Sequence, residues 1–593
     1  MADTFDYVVA GGGTAGIALA ARLSEDPNVT VGVIEAGEYV TDMHALLIPG
    51  MQTMSHGNPR VDWNLVNVPQ KCANNRVIPQ VRGKLIGGSS ALNYMAWGRP
   101  SKEDYDALVE LGNPGWGWSE FLPYLLKVEG TAELTQEAAS QFGAPKTLPE
   151  SLHGRSGPVK KSIIHQWNQL HMPFLDSLVK AGVPRNDDTG SGNNVGSFTG
   201  YSNIDQASKT RSYAATAYYA PIVDRKNLTV LTETRALRVI LEPASDGEFV
   251  ATGVEILKDG KKSIVKAKKE VIISGGTYMS PAILEHSGVG LSSVLGKHGI
   301  KQLIDLPVGE NLQDHPWVGV QTEVDTKYDT IEVLQDQARL GQEIQLYQEK
   351  QEGLLSVGFA AFGFAPLTTV MTPEEVKGFV QKLDQTFPTN TNALKKEKEL
   401  LKQWSLNQQH AHIELLQLPL FLSFKPEFKA QPGKHYHCNM VGLLHPLSRG
   451  SVHISSSDPL VNPDIDTGYL TNPLDVEVLI AGVKLMVKAA KTAPYSDAIT
   501  GIYDPPQEAL SSDEKLAEWV RDKVEPFNHP IGTVPMLPKA DGGVVDSKLK
   551  VYGTKNLRVA DASVIPLQLS AHIQHTVYAI AEKAADLIKA ENK

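Results

Sequence analysis

Three consecutive glycines close the first apolar run of the chain, in YVVAGGGTAGIALAARL, Tyr7 to Leu23. The run before them is rich in β-branched and aromatic residues, and Ala15 to Leu23 reads as a small-residue helix, so the glycines fall at a strand-to-helix turn. Gly11, Gly13 and Gly16 have the G-x-G-x-x-G spacing, with Thr14 and Ala15 opening the helix. In such a turn the first glycine allows the sharp bend, the second lets backbone approach a pyrophosphate, and the third packs helix on strand. The diphosphate would rest on the helix N-terminus, where unpaired N–H groups and the helix dipole favour negative charge. The unit also needs an acid for ribose hydroxyls about 20 residues on. Glu35, ending the strand-like VTVGVIEAG, supplies it, and an acid there rather than an arginine argues against a 2′-phosphate and hence against NADP. A lone glycine fingerprint is often only a turn. Strand, turn, helix, strand and acid together make a nucleotide site the stronger reading.

At 593 residues the chain exceeds one ordinary core, so two domains, or one with a large insertion, are expected. The formal charge of −11, from 56 basic and 67 acidic residues, disfavours nucleic acid and anionic membranes as partners. No apolar run reaches the ~18 residues of a membrane span. MADTFD is short, acidic and leads straight into the first strand, so a cytoplasmic location is expected. Cys72 and Cys438 stand in no metal-ligand spacing and read as inert thiols. The polar, helix-favouring stretch from Asp325 to Gln409 shows no strand-helix alternation and reads as a covering element added to the nucleotide domain. NLTVLTETRALRVILE and KEVIISGGTYMSP read as strands returning to the first sheet.

A second glycine loop, RGKLIGGSSALNYMAWGRP at Arg82 to Pro100, has little charge after Lys84. Gly87 and Gly88 would let backbone pass close to a flat or anionic group, and Asn93 could hydrogen-bond at its edge. This stretch resembles the first signature of the glucose-methanol-choline (GMC) flavoprotein oxidoreductases. GTYMSPAILEHSGVG, Gly276 to Gly290, resembles the second, and VGENLQDHP, Val308 to Pro316, is similar to the loop that follows it. NHPIGTVPM, GGVVDSKLKVYGTKNLRVADASVIP and AHIQHTVYAIAEKAADLI then come in the family's order, so the resemblance spans almost the whole chain.

The resemblance implies an α/β fold: a discontinuous, doubly wound Rossmann-like FAD-binding domain with a second, α+β substrate-binding domain. The expected division is 1–316 for the first part of the FAD domain with some substrate-domain excursions, 317–521 for the substrate domain, and 522–593 completing the FAD domain and carrying the catalytic residues. FAD is implied as cofactor. Glu35 would bind the adenosine ribose and the Val230 backbone would meet adenine; Gly88 and Ser90 would bind the cofactor, and the segment Asn93, Tyr94 and Met95 would run beside the isoalloxazine ring. Asp561 and Ala562 would meet the ribityl-phosphate side, and Ile573 the pyrimidine edge. Some members tether FAD through a histidine just before the position of Asn93; here that residue is Leu92, so non-covalent FAD is expected.

Alcohol oxidation by hydride transfer needs a base for the hydroxyl proton, and imidazole suits neutral pH. His529, in FNHPIGT, occupies the family's base position, and His572, in LSAHIQHT, the second position, where many relatives carry asparagine. Most of the 17 histidines must be structural. His435, His437, His445 and His453 follow strand alternation, which explains their spacing; carboxylate and cysteine ligands are not expected to cluster with them, and no metal is expected. His315 reads as structural, and His575 as facing elsewhere. Asn528 stands where relatives often have an aromatic or aliphatic residue shaping oxygen access. Formate-oxidising relatives resemble KLKVYGTKNLRVADASVIP but place an arginine where His572 stands, so a carboxylate substrate lacks its clamp. The expected reaction is oxidation of a small aryl or aliphatic primary alcohol to the aldehyde, with oxygen or another acceptor reoxidising the flavin. Lyases and cyclases built on the same fold are the rival reading.

Overall fold

The computed structural model describes residues 4–144, 148–163, 168–356, 358–425 and 428–592. The first strand, β1 (Thr4–Ala10), leads through the glycine turn into α1 (Thr14–Leu23) and on to β2 (Val31–Ile34), which pairs parallel to β1. Val8, Val9, Ala10 and all of β2 are buried, as a strand covered on both faces requires. Gly16 sets how closely helix and strand approach: a Cβ there would lie 1.9 Å from the Gly11 carbonyl oxygen. Four further strands, β3 (Leu228–Leu231), β4 (Arg235–Pro243), β5 (Phe249–Lys258) and β6 (Lys261–Ile273), give the sheet order β3-β2-β1-β6-β5-β4. The long β6 pairs antiparallel with β5 early in its course; at its end it pairs parallel with β1 and with Leu557–Val559, from the far end of the chain. The C-terminal helix Gln574–Glu591 lies against α1, and an Arg22–Glu582 ion pair of 2.8 Å links the two. The first fold unit is therefore closed by residues more than five hundred positions apart.

A second, antiparallel sheet runs in the order Ile499–Asp504, β7 (Pro316–Val324), β10 (His435–Leu443), β9 (Ile413–Leu418), β8 (Ala361–Ala365), Gly196–Thr199. Glu525–Pro526 pairs with β7, so this sheet takes one strand from within 1–316 and one from within 522–593. Period-two alternation sorts its residues. Val318, Ile413, Leu415 and Val441 point into a core with the helices His171–Ala181 and Pro473–Ala490. Trp317, Leu416, Leu418 and Met440 point the other way, toward the first unit.

The stretch 325–409 departs from its sequence reading. It contributes the strand β8, next to the edge of the second sheet, and its helices Pro373–Thr386 and Asn392–Leu406 pack through Phe379, Leu383, Leu400 and Trp404 into the second core, not onto the nucleotide sheet. Its charge runs had masked five residues, AFGFA, whose burial on both faces gives no alternation to detect. Among the described residues no helix is long and apolar enough to cross a membrane.

Candidate active site

A cavity of about 300 Å³ runs between the two sheets, from the C-terminal edge of β1 to Trp317 in β7 and the loop that follows Glu525–Pro526. It opens where ligands of open α/β sheets sit, beyond the carboxyl ends of the parallel strands. Gly11, Gly13, Thr14 and Ala15 form one end of its wall, with Gly88 against them. Gly88 has φ +51°, and a Cβ on it would stand 2.7 Å from the Gly13 Cα, so the two glycine loops meet backbone to backbone with no room for a side chain. The N-terminus of α1 has no side-chain cap, which leaves its first N–H groups free to face an anion in the cavity.

Glu35 lies in the same wall. Its Oε2 accepts from the Gly12 N–H at 2.8 Å and its Oε1 from the Gly37 N–H at 2.9 Å. Burial pushes its carboxyl up to about 7, against the lowering effect of these amides. Each oxygen retains a lone pair for a ribose hydroxyl. Ser90, Asn93, Tyr94 and Met95 continue the wall. Asn93 is fixed by Arg211, whose Nη1 donates to its Oδ1 at 2.6 Å, and Met95 is held at φ +63°, a conformation that costs a side-chain-bearing residue about 1 kcal/mol or more. Leu92 lines the cavity in place of an imidazole. The glycine floor, the uncapped helix N-terminus and the buried Glu35 carboxylate are the donor and acceptor types that an adenine dinucleotide would need.

Asp561, Ala562 and Ile573 also line the cavity, but the Asp561 carboxylate is already engaged. Its Oδ2 accepts from the Gly276 N–H at 2.9 Å and the Ser280 hydroxyl at 2.6 Å; its Oδ1 accepts from the Ser563 N–H at 2.8 Å. It positions the turn at Gly275–Gly276, and only backbone is left for a ligand. Gly16 is placed behind the cavity as the packing glycine. Val230 requires a correction, because it is not in the wall. It lies inside β3, paired across to Val33, while the wall is made by Thr234, Arg235, Ala236 and Leu237, which follow the end of that strand. NLTVLTETRALRVILE is two strands broken at Thr232–Thr234, and only residues past a parallel strand's carboxyl end reach the crevice.

At the opposite end of the cavity His529 and His572 stand with ring centroids 4.5 Å apart. The loop carrying His529 is pinned from both sides. Its N–H donates to Asp314 Oδ1 at 2.7 Å, and its carbonyl accepts from Gln568 Nε2 at 3.0 Å. The ring stacks on Phe527 with planes 2° apart. Enclosure in the cavity, then the neighbouring His572, His315 and Arg82, hold this imidazole well below its ordinary value, so it is neutral and able to take a proton. His315, read as structural in the sequence, lies with its Nδ1 3.0 Å from His529 Nδ1. A proton on His529 Nδ1 donated to His315 leaves the lone pair on His529 Nε2. The opposite direction, with His315 Nδ1 donating, would put the His529 hydrogen on Nε2.

His572 has its own partner, Glu414, whose Oε1 is 2.7 Å from His572 Nε2. A carboxylate only accepts, so Nε2 carries the hydrogen. Glu414 is fully buried in β9, on the same face as Leu416 and Leu418. The alternation of IELLQL places 414, 416 and 418 on one face; what sequence lacked was a reason to aim that face at His572. The other histidines separate cleanly. His575 Nε2 bonds the Leu125 carbonyl at 2.9 Å and its ring packs on Trp97. His435 meets the Tyr328 carbonyl, His437 the Tyr495 hydroxyl, and His453 both Glu285 and Glu310. His445 departs from the expectation of no clustered ligand group: the structure brings it beside His410 and Asp104. Both cysteines are free.

One cavity thus joins a glycine cradle suited to a dinucleotide to a pair of oriented imidazoles. The profiles of the GMC oxidoreductase family match residues 5–317 and 446–581, and the chain belongs to that family, whose members are FAD-dependent. It is 36% identical to the dehydrogenase mpl7 of Monascus purpureus, over 99% of this chain and 96% of that one. Among solved structures it resembles an FAD-dependent oxidoreductase from Chaetomium thermophilum (TM-score 0.89, 29% identity, 99% of each chain) and a fungal aryl-alcohol oxidase (TM-score 0.84, 28% identity, 100% of each chain).

Proposed function

We propose that the protein oxidises a small aryl or aliphatic primary alcohol to its aldehyde, with FAD bound non-covalently and with oxygen or another acceptor completing the cycle. The observation that carries this reading is the pair of imidazoles, 4.5 Å apart, in the wall of the cavity that begins at the glycine cradle. Bound FAD supplies the hydride-accepting ring. His529, neutral by enclosure and turned by His315, takes the hydroxyl proton at Nε2. His572, its ring held in place by Glu414, positions the substrate hydroxyl against His529. Trp317, Phe359, Leu416 and Met440 give this end of the cavity an apolar wall, which suits an aryl or alkyl group better than a polyhydroxylated sugar and excludes water from the proton transfer. Leu92 offers no nucleophilic ring for a covalent link, and His572 supplies no guanidinium for a carboxylate substrate.

The test is anaerobic mixing of the purified yellow protein with a panel of alcohols, aldehydes and formate while flavin absorbance near ~450 nm is followed. Bleaching by an alcohol supports the reading, and admission of air then separates an oxidase from a dehydrogenase. A flavin bleached by a chemical reductant but by no alcohol sinks it in favour of the lyase or cyclase class.

A further inference from the structure

Asp104, His410 and His445 meet away from the cavity, all three fully buried. Asp104 belongs to the first turn of the helix Lys102–Glu110 and makes a reciprocal cap with Ser101. Its Oδ2 accepts from the N–H and hydroxyl of Ser101, at 3.0 and 3.1 Å, from the Ser570 N–H at 3.1 Å, and from the Ser570 hydroxyl. Its Oδ1 has no hydrogen-bond partner. Facing that oxygen, each at 3.6 Å, are Nε2 of His410 and Nε2 of His445, which lie 2.9 Å from each other. The rings are fixed from outside: His445 Nδ1 is 3.1 Å from the Gln568 carbonyl, which only accepts and therefore puts the lone pair on Nε2. Trp404 stacks on His410 with centroids 4.3 Å apart.

We propose that these three side chains form a buried site for one divalent transition-metal ion, with zinc the metal that best matches the ligand types. The point equidistant from the corners of a triangle of sides 2.9, 3.6 and 3.6 Å lies about 2.0 Å from each, the length of zinc–imidazole and zinc–carboxylate bonds. Two imidazoles and one carboxylate exclude calcium and magnesium, which take mainly oxygen ligands, and the lack of thiolate disfavours copper(I). A proton shared by the two imidazoles would satisfy both nitrogens but leave Asp104 Oδ1 unpaired, and a buried charged acceptor without a partner costs more than the ~1–3 kcal/mol of a neutral one. The metal displaces that proton and gives Oδ1 its partner. The ligands come from a helix beside the first sheet, from the residues entering β9, and from the loop after β10. Ser570 and Gln568, which hold Asp104 and His445, lie two and four positions before His572 in sequence. The ion therefore fastens the second sheet to the helix Lys102–Glu110, and through Ser570 and Gln568 it steadies the segment that carries His572. Its role is positional, and no reaction step passes through it.

Elemental analysis of the full-length, FAD-loaded protein, produced in zinc-supplemented medium and dialysed against chelator, tests this. About one zinc per chain is expected, with His445→Gln and Asp104→Asn reducing it at least tenfold. If these variants do not fold, X-ray absorption at the zinc edge of the wild type decides instead, with a first shell of nitrogen and oxygen at ~2.0 Å expected. A wild type holding less than one zinc in ten chains overturns the assignment. So does stoichiometric zinc that survives both substitutions, or a first shell containing sulfur.

Discussion

Replacing Glu414 by leucine isolates the part of the site that orients His572. The carboxylate lies 2.7 Å from His572 Nε2, is fully buried, and is absent from the cavity wall, so the substitution removes a partner of the imidazole without touching the cofactor's surroundings. A hydrogen bond to a charged group contributes about 1.5–3 kcal/mol, and at 1.36 kcal/mol per tenfold the loss corresponds to a roughly 10- to 150-fold fall in kcat/KM. Glu414→Gln keeps an acceptor for the Nε2 hydrogen but not the charge. Because charge-assisted bonds are about twice as strong as neutral ones, it should fall only about 3- to 13-fold. The measurement is the anaerobic rate of flavin bleaching by the alcohol, in stopped flow, on samples matched for bound FAD. Two results would refute the reasoning: a leucine variant within twofold of wild type at equal FAD content, or a glutamine variant as fast as wild type, which would leave the charge no part in positioning His572.

Three other outcomes follow from the same geometry. Gly16→Ala places a methyl 1.9 Å from the Gly11 carbonyl oxygen, an overlap that should cost at least the ~1–3 kcal/mol of core overpacking and lower the 450-to-280 nm absorbance ratio together with Tm; unchanged FAD content would remove Gly16 from the cradle. His529→Ala should abolish alcohol-dependent bleaching while retaining FAD, and because enclosure and the nearby His572, His315 and Arg82 lower this group's protonation range, wild-type kcat/KM should hold steady as pH falls through 6.5 and decline only well below it; a decline centred at 6.5 or above would assign the limiting base elsewhere. At His453, burial alone would lower the imidazole, but the hydrogen bonds to Glu285 and Glu310 outweigh it and raise it to about 9. A raised pKa stabilises the fold fully below the unfolded value of ~6.5 and loses that contribution as pH rises toward 9, so Tm of wild type should drop across this interval more than Tm of His453→Gln, and parallel curves would count against the pairing.

The parts of the molecule legible in sequence are those whose physics is local. The glycine turn, its helix and Glu35 occupy about thirty residues, and each has a requirement its neighbours state: a positive φ, a close approach, an acid at the end of the next strand. The same locality misled at Val230, where a continuous β-branched run concealed the break at Thr232–Thr234 and moved the expected adenine contact one strand too early. At 361–365 the strand was hidden because both faces are buried, which erases the alternation that identifies a half-covered strand.

The orienting shell around the histidines was illegible for a different reason. Each partner reaches the site across a long stretch of chain: Glu414 lies 158 residues before His572, and His315 lies 214 before His529. Nothing in HIELLQLP or QDHP distinguishes a residue that aims an imidazole from one that satisfies a core, because the distinction depends on which sheet face meets which loop. The antiparallel register of β9 and β10 decides that meeting. With Ile413 opposite Leu443 and Leu416 opposite Met440, odd residues of β9 face the helices and even residues face the cavity. A slip of one residue would turn Glu414 into the helical core, where its carboxylate would lose the imidazole that it now meets at 2.7 Å. The orientation of His572 is in this sense a consequence of strand register in the second sheet. Substitutions at β9–β10 pairs that loosen register should therefore lower the rate of flavin bleaching before they lower FAD content.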